Sequence, residues 1–70
     1  MVRSMEITLN GEERECREDL TLADLLAELG LRTRRVAVEM NRDIIPRDEY
    51  ANHRLRPGDV IEIVHFVGGG

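Results

Sequence analysis

Apolar and polar residues alternate at the start of the chain, with Met5, Ile7 and Leu9 separated by Glu6 and Thr8. A period of two belongs to a strand with one buried face. Asn10-Gly11 comes next, a dipeptide that favours a two-residue type I′ turn because both of its positions need positive φ. A hairpin closed there sets Leu9 opposite Glu12, Ile7 opposite Arg14 and Met5 opposite Cys16. Cys16 then shares the face of Met5 and Ile7. The second strand, Glu12 to Cys16, is otherwise charged, which suits the edge of a sheet.

The period then lengthens. Leu22, Leu25, Leu26 and Leu29 recur at helical spacing and form one apolar stripe. Thr21 stands at the N-cap and Asp24 three residues on, a variant of the capping box, with Leu20 placed to staple onto Leu25. Gly30 falls where a helix ends in the left-handed conformation, and Leu31 folds back on Leu26. Alternation returns at Val36, Val38 and Met40, a third strand. Asn41-Arg42-Asp43 reads as a turn. Ile44-Ile45 is a short apolar pair stopped by Pro46, so any strand there is brief and at an edge. Arg47 to Arg54 is polar and irregular, with one helical turn around Asp48 to Ala51. Pro57-Gly58 fits the centre of a type II turn. Val60 to Phe66 is almost continuously apolar, the mark of a central strand.

Strand, strand, helix, strand, short strand, strand is an α+β pattern, a mixed sheet of four to five strands with one main helix on one face. The helix stripe is too narrow to cover both faces, so one face stays open. Glu62 marks that open face, because an unpaired buried carboxylate is costly. Alternation puts Val60, Val64 and Phe66 beside it and turns Ile61 and Ile63 toward the helix. An apolar patch on a small open face is the expected docking surface for a partner.

Composition narrows the chemistry. Seventy residues make one domain with one modest core, and a hydrophobic share of 41% is too high for disorder at this charge. Tyr50 and Phe66 are the only aromatics, so the core is expected to be aliphatic. The net charge of −4 disfavours nucleic-acid binding, which needs clustered positive charge, and it disfavours a polybasic membrane anchor as well. Arg32, Arg34 and Arg35 are the one basic cluster, and it is short. Glu12 to Asp19 is an acidic stretch, read either as a solvated edge or as a steering surface for a basic partner. No apolar run approaches the ~20 residues of a membrane span and no signal peptide opens the chain, so a cytoplasmic protein is expected. One cysteine excludes an internal disulfide. Cys16 reads as a buried, inert thiol, and His53 and His65 as a loop and a strand histidine without metal-like neighbours. No nucleophile–base pair, phosphate loop or metal set is present, so neither enzyme activity nor a cofactor is expected. All ten basic residues are arginine, which excludes lysine chemistry on this chain.

The last residues are Gly68, Gly69 and Gly70. Lacking Cβ atoms, they make the thinnest tail a polypeptide can have, and three residues reach roughly 10 Å when extended. Such a tail can thread a channel and present the α-carboxylate of Gly70, ionised near neutral pH. A carboxylate can attack the α-phosphate of ATP and then yield its acyl group to a sulfur nucleophile. A frayed end is the plain alternative. The division expected is a domain over residues 1–67 and a flexible tail over 68–70.

VAVEMNRDIIPRDEY (Val36 to Tyr50) and GDVIEIVHFVGGG (Gly58 to Gly70) resemble the ubiquitin-like β-grasp sulfur carriers, and among them the ThiS family of the thiamine pathway. The resemblance covers nearly the whole chain. It implies that Gly70 is adenylated by an E1-like adenylyltransferase (ThiF-like) using ATP and magnesium. The adenylate would become a thiocarboxylate whose sulfur, drawn from a sulfur donor protein, passes to thiazole synthase (ThiG-like). It implies Gly69 and Gly70 as the reactive end, with Gly68, Val64 and Phe66 as docking positions. Gly68 and Gly69 are the expected threading residues, Val60 joins the docking face by strand alternation, and a monomer is expected when free. The molybdopterin-synthase small subunit (MoaD-like) is the alternative carrier, although its usual aromatic-proline-proline stretch is absent before the tail. A ubiquitin-like modifier or a plain interaction module are alternatives of other classes.

Overall fold

The computed structural model of the protein describes residues 3–66. Five strands form one mixed sheet: β1 (Ser4–Leu9), β2 (Glu12–Arg17), β3 (Val36–Met40), β4 (Asp43–Ile45) and β5 (Val60–His65), in the spatial order β2-β1-β5-β3-β4. β5 pairs parallel to β1 and antiparallel to β3, so it lies in the middle of the sheet, as its nearly continuous apolar run predicts. One α-helix, α1 (Leu22–Glu28), supplies the second layer.

The first hairpin has the predicted register, with Leu9 opposite Glu12, Ile7 opposite Arg14 and Met5 opposite Cys16. Asn10 and Gly11 both take positive φ, at 50° and 83°, as a type I′ turn demands. The helix ends are also as predicted. Thr21 Oγ1 accepts from the Asp24 N–H at 3.0 Å, and the Asp24 carboxylate accepts from the Thr21 N–H at 3.1 Å, closing a reciprocal capping box. At the other end Gly30 has φ +74°. The Gly30 N–H donates to the Ala27 carbonyl and the Leu31 N–H to the Leu26 carbonyl, the two bonds of a Schellman motif.

Ile7, Leu20, Leu22, Leu25, Leu26, Val36, Val38 and Ile61 are the fully buried side chains between α1 and the sheet. Met5, Cys16, Met40 and Leu55 complete this layer, and Ile63 and Leu29 pack against its margin. The core is aliphatic with one exception: Tyr50 is 3% exposed. It lies on a 3-10 helix, Arg47–Asn52, in a largely polar segment with no apolar periodicity to mark its burial. The segment after it is tied to the start of α1, since the Leu22 N–H donates to the His53 carbonyl and the Leu55 N–H to the Leu20 carbonyl. A second 3-10 turn, Thr33–Arg35, leads into β3 and has no periodic signal in the sequence.

One boundary differs from expectation. Asp43 is not part of the turn but pairs with Met40 as the first residue of β4. The turn is Asn41-Arg42 alone, and both residues have positive φ, 52° and 74°. It is a second type I′ hairpin with arginine where glycine is the usual choice, which is why the dipeptide does not announce itself.

Candidate functional site: the open sheet face and its central strand

Among the described residues only one face of the sheet carries a helix, and the other is uncovered. Alternation along β5 turns Ile61 inward, with no exposure, and leaves Val60, Val64 and Phe66 outward, at 46%, 58% and 53% exposed. These three are the residues predicted for docking, and they stand together on the open face. A fourth joins them. Ile44 pairs with Glu39 on β3 and so points the same way. At 77% it is the most exposed large apolar side chain among the described residues. The parity of β4 would have identified it, had the turn before it been recognised as two residues rather than three. Between Ile44 and Val64 lies a shallow depression of about 200 Å³, lined by Ala37, Val38, Glu39 and Glu62 as well.

The strand that carries the patch is fixed from both sides. β1 pairs with β5 over a short length only, Thr8 with Val60 and Leu9 with Ile61. Beyond that point the side chain of Asn10 takes over, and its Oδ1 accepts from the Ile63 N–H at 2.8 Å. Asn41 does the same on the other side, where its Oδ1 accepts from the Val60 N–H at 2.9 Å and its Nδ2 donates to Asp59 at 3.1 Å. The first residue of each type I′ turn is thus an asparagine that serves two purposes: it tolerates the left-handed conformation and its amide pins β5. The Phe66 N–H donates to the Arg35 carbonyl at 2.7 Å, so the ladder holds the chain to the last described residue. Gly68, Gly69 and Gly70 lie outside the described residues.

The other candidates fall elsewhere. Cys16 is buried and free, and burial first, then the nearby Glu28 carboxylate, raises its thiol pKa. His65 shares a depression of about 430 Å³ with Gly30, Leu31, Arg32 and Arg35. His53 borders one of about 560 Å³ with Met40, Asn41, Arg54 and Asp59. The latter is larger than the apolar depression but mostly polar in its lining, and it adjoins the patch only at the Asn41 and Asp59 end of β5. Among the described residues no three His, Cys, Asp or Glu side chains gather as metal ligands, and no helix is long and apolar enough to cross a membrane.

A five-stranded mixed sheet gripping one helix, with an apolar patch along the outer side of its central strand, defines a ubiquitin-like β-grasp protein. The sequence model of the ThiS family matches residues 7–70. The sulfur carrier protein ThiS of Bacillus subtilis is 46% identical over 65 residues, covering 91% of this chain and 98% of that one. The crystal structure of the thiamine biosynthesis protein ThiS from Geobacter metallireducens superposes with a TM-score of 0.80 at 30% identity, over 94% of this chain and all of that one. This chain belongs to the ThiS family. A thiazole synthase of Paramagnetospirillum magneticum is 47% identical over 66 residues, which is 94% of this chain but 20% of the synthase. The chain therefore spans about a fifth of the length of the thiazole synthases it matches.

Proposed function

We propose that this protein is a sulfur carrier of thiamine biosynthesis whose working group is the α-carboxylate of Gly70. The observation that carries the reading is the reach of the family match, which runs from residue 7 through residue 70 and so takes in all three glycines. A carboxylate oxygen attacks the α-phosphate of ATP in an E1-like, ThiF-like adenylyltransferase, and pyrophosphate leaves. Sulfur at the oxidation level of sulfide, brought by a donor protein, then attacks the acyl carbon. AMP leaves with the oxygen that bound it, and the product is a thiocarboxylate with sulfur in place of one oxygen. The carrier itself performs no chemistry. Gly68 and Gly69, having no side chains, are the residues suited to thread a channel too narrow for one. The reaction is placed in the cytoplasm, where ATP is supplied.

The acceptor proposed is a ThiG-like thiazole synthase. Support comes from the thiazole synthases in which a segment like this chain forms part of the same polypeptide; covalent linkage raises the effective concentration of two modules that act on each other. Val60, Val64 and Phe66, with Ile44, are the surface by which the free monomer docks. The match to curated sulfur carriers favours this reading over the molybdopterin-synthase one.

The test is the intact mass of the protein after incubation with ATP, magnesium, sulfide and the adenylyltransferase of its own organism. One oxygen-for-sulfur exchange is expected, abolished by deletion of Gly70. An unchanged mass, with the enzyme shown to be active on another carrier, would refute the proposal.

A further inference from the structure

Two carboxylates sit in the middle of the apolar patch. Glu39 on β3 and Glu62 on β5 are directly opposite each other in the ladder, both exposed on the open face. Cβ atoms of such a pair lie ~5 Å apart, and like charges there are destabilising. Among the described residues the ion pairs are Arg17–Glu28 and Arg54–Asp19, so no basic group stands within ion-pair distance of either carboxylate. Arg42 lines, with Glu39 and Glu62 themselves, a depression on the Val60 side of the pair, without forming an ion pair with either. Ile44, Ala37 and Val64 line the depression on the other side. A local conflict kept at the centre of a surface is expected where function, rather than folding, sets the residue.

The geometry constrains the partner. Any surface that covers both Val60 and Val64 also covers Glu62, which lies between them on the same strand, and Glu39 beside it. Taking two carboxylates out of water under an apolar lid is strongly unfavourable unless a cation accompanies the lid. Arginine suits the place best, since its planar fork can serve two carboxylates while its stem lies on apolar surface.

We propose that the protein partner of this face presents a basic side chain flanked by apolar ones. The cation seats between Glu39 and Glu62, and an apolar neighbour enters the depression between Ile44 and Val64. This rests on the reading of the open face as the docking surface. The test uses the thiazole synthase of the same organism as probe. Its affinity for the unaltered protein, for the Glu39→Gln/Glu62→Gln double variant and for Val64→Asp is measured at low and at physiological salt. The double variant is expected to bind at least tenfold more weakly, with a flatter dependence on salt, while its own melting midpoint stays level or rises because a repulsion has been removed. A double variant that binds as well as the unaltered protein, or one that melts lower, overturns the inference. If in that case Val64→Asp still abolishes binding, the docking face stands and only the cation is refuted. If Val64→Asp binds normally too, or the unaltered protein fails to bind, the docking reading itself falls.

Discussion

Replacing Phe66 by alanine separates docking from folding on a strand that serves both. Phe66 is 53% exposed, and a phenylalanine-sized side chain offers ~150–250 Å², so about 100 Å² remains for a partner to cover. At about 25 cal/mol per Å², full coverage is worth up to about 2.5 kcal/mol. Since 1.4 kcal/mol is tenfold in affinity, Phe66→Ala should weaken binding to thiazole synthase by roughly tenfold to sixtyfold. The cost of association itself is common to both proteins and cancels in the ratio. The same change should leave unfolding free energy within ~0.5 kcal/mol, as for other surface positions. Ile61, five residues earlier and with no exposure, provides the converse. Ile61→Ala should cost about 2–5 kcal/mol, against a total of roughly 3.5–10 kcal/mol for a chain of this length. Calorimetric titration reads the affinity and urea unfolding reads the stability. Phe66→Ala with unaltered affinity, or with a loss of stability comparable to that of Ile61→Ala, would refute the division of β5 into a buried and a docking side.

Other outcomes follow from the same structure. Asp24 is held below its ordinary 3.8 by the backbone N–H and then the hydroxyl of Thr21. A carboxyl with a lowered folded pKa stabilises the fold above its unfolded pKa, and loses that contribution as pH falls through the folded value. Asp24→Asn should therefore be less stable than the unaltered protein at neutral pH, and the gap should close as acid takes Asp24 through its lowered folded pKa; a gap that persists once the carboxyl is protonated would exclude the capping box as its source. Arg42 occupies a left-handed conformation, φ +74°, that costs a side chain about 1–2 kcal/mol. Arg42→Gly should raise the urea midpoint, and a lowered midpoint would show that the arginine side chain more than offsets its backbone strain. Cys16 is buried with a raised thiol pKa, so it should resist alkylation at neutral pH and react only on unfolding; rapid labelling of the native protein would contradict its place in the core.

What the sequence discloses depends on how local each signal is. The first hairpin, the capping box and the Schellman end of α1 each rest on residues within a few positions of one another, and their registers and bonds appear as the pattern predicts. The outward side of β5 is legible because one charged residue, Glu62, fixes the parity of its neighbours. Ile44 escapes for the opposite reason. Its direction depends on the length of the turn before it, and Arg42 at a left-handed position is not a turn signal. Tyr50 and Leu55 are buried by contacts with the start of α1, about thirty residues away in the sequence, and no period records that. The role of Asn10 and Asn41 as side-chain braces for β5 is likewise invisible until the strands are placed side by side.

Those braces connect the two halves of the proposed mechanism. β5 is paired with β1 for only two residues, so without the Asn10 amide the stretch from Ile63 onward would be held from the β3 side alone. That stretch carries Val64 and Phe66, and it leads directly to the glycines. A carrier that gives its carboxylate to one active site after another needs a docking patch whose position on β5 does not change. Loss of the Asn10 side chain leaves the Ile63 N–H without its partner, at a cost of about 1–3 kcal/mol for an amide shielded from water and less where water reaches it. Asn10→Gly keeps the backbone conformation of the turn while removing the brace. Its consequence should fall more heavily on transfer from the tail than on the stability of the first hairpin, whose own register is set by β1 and β2.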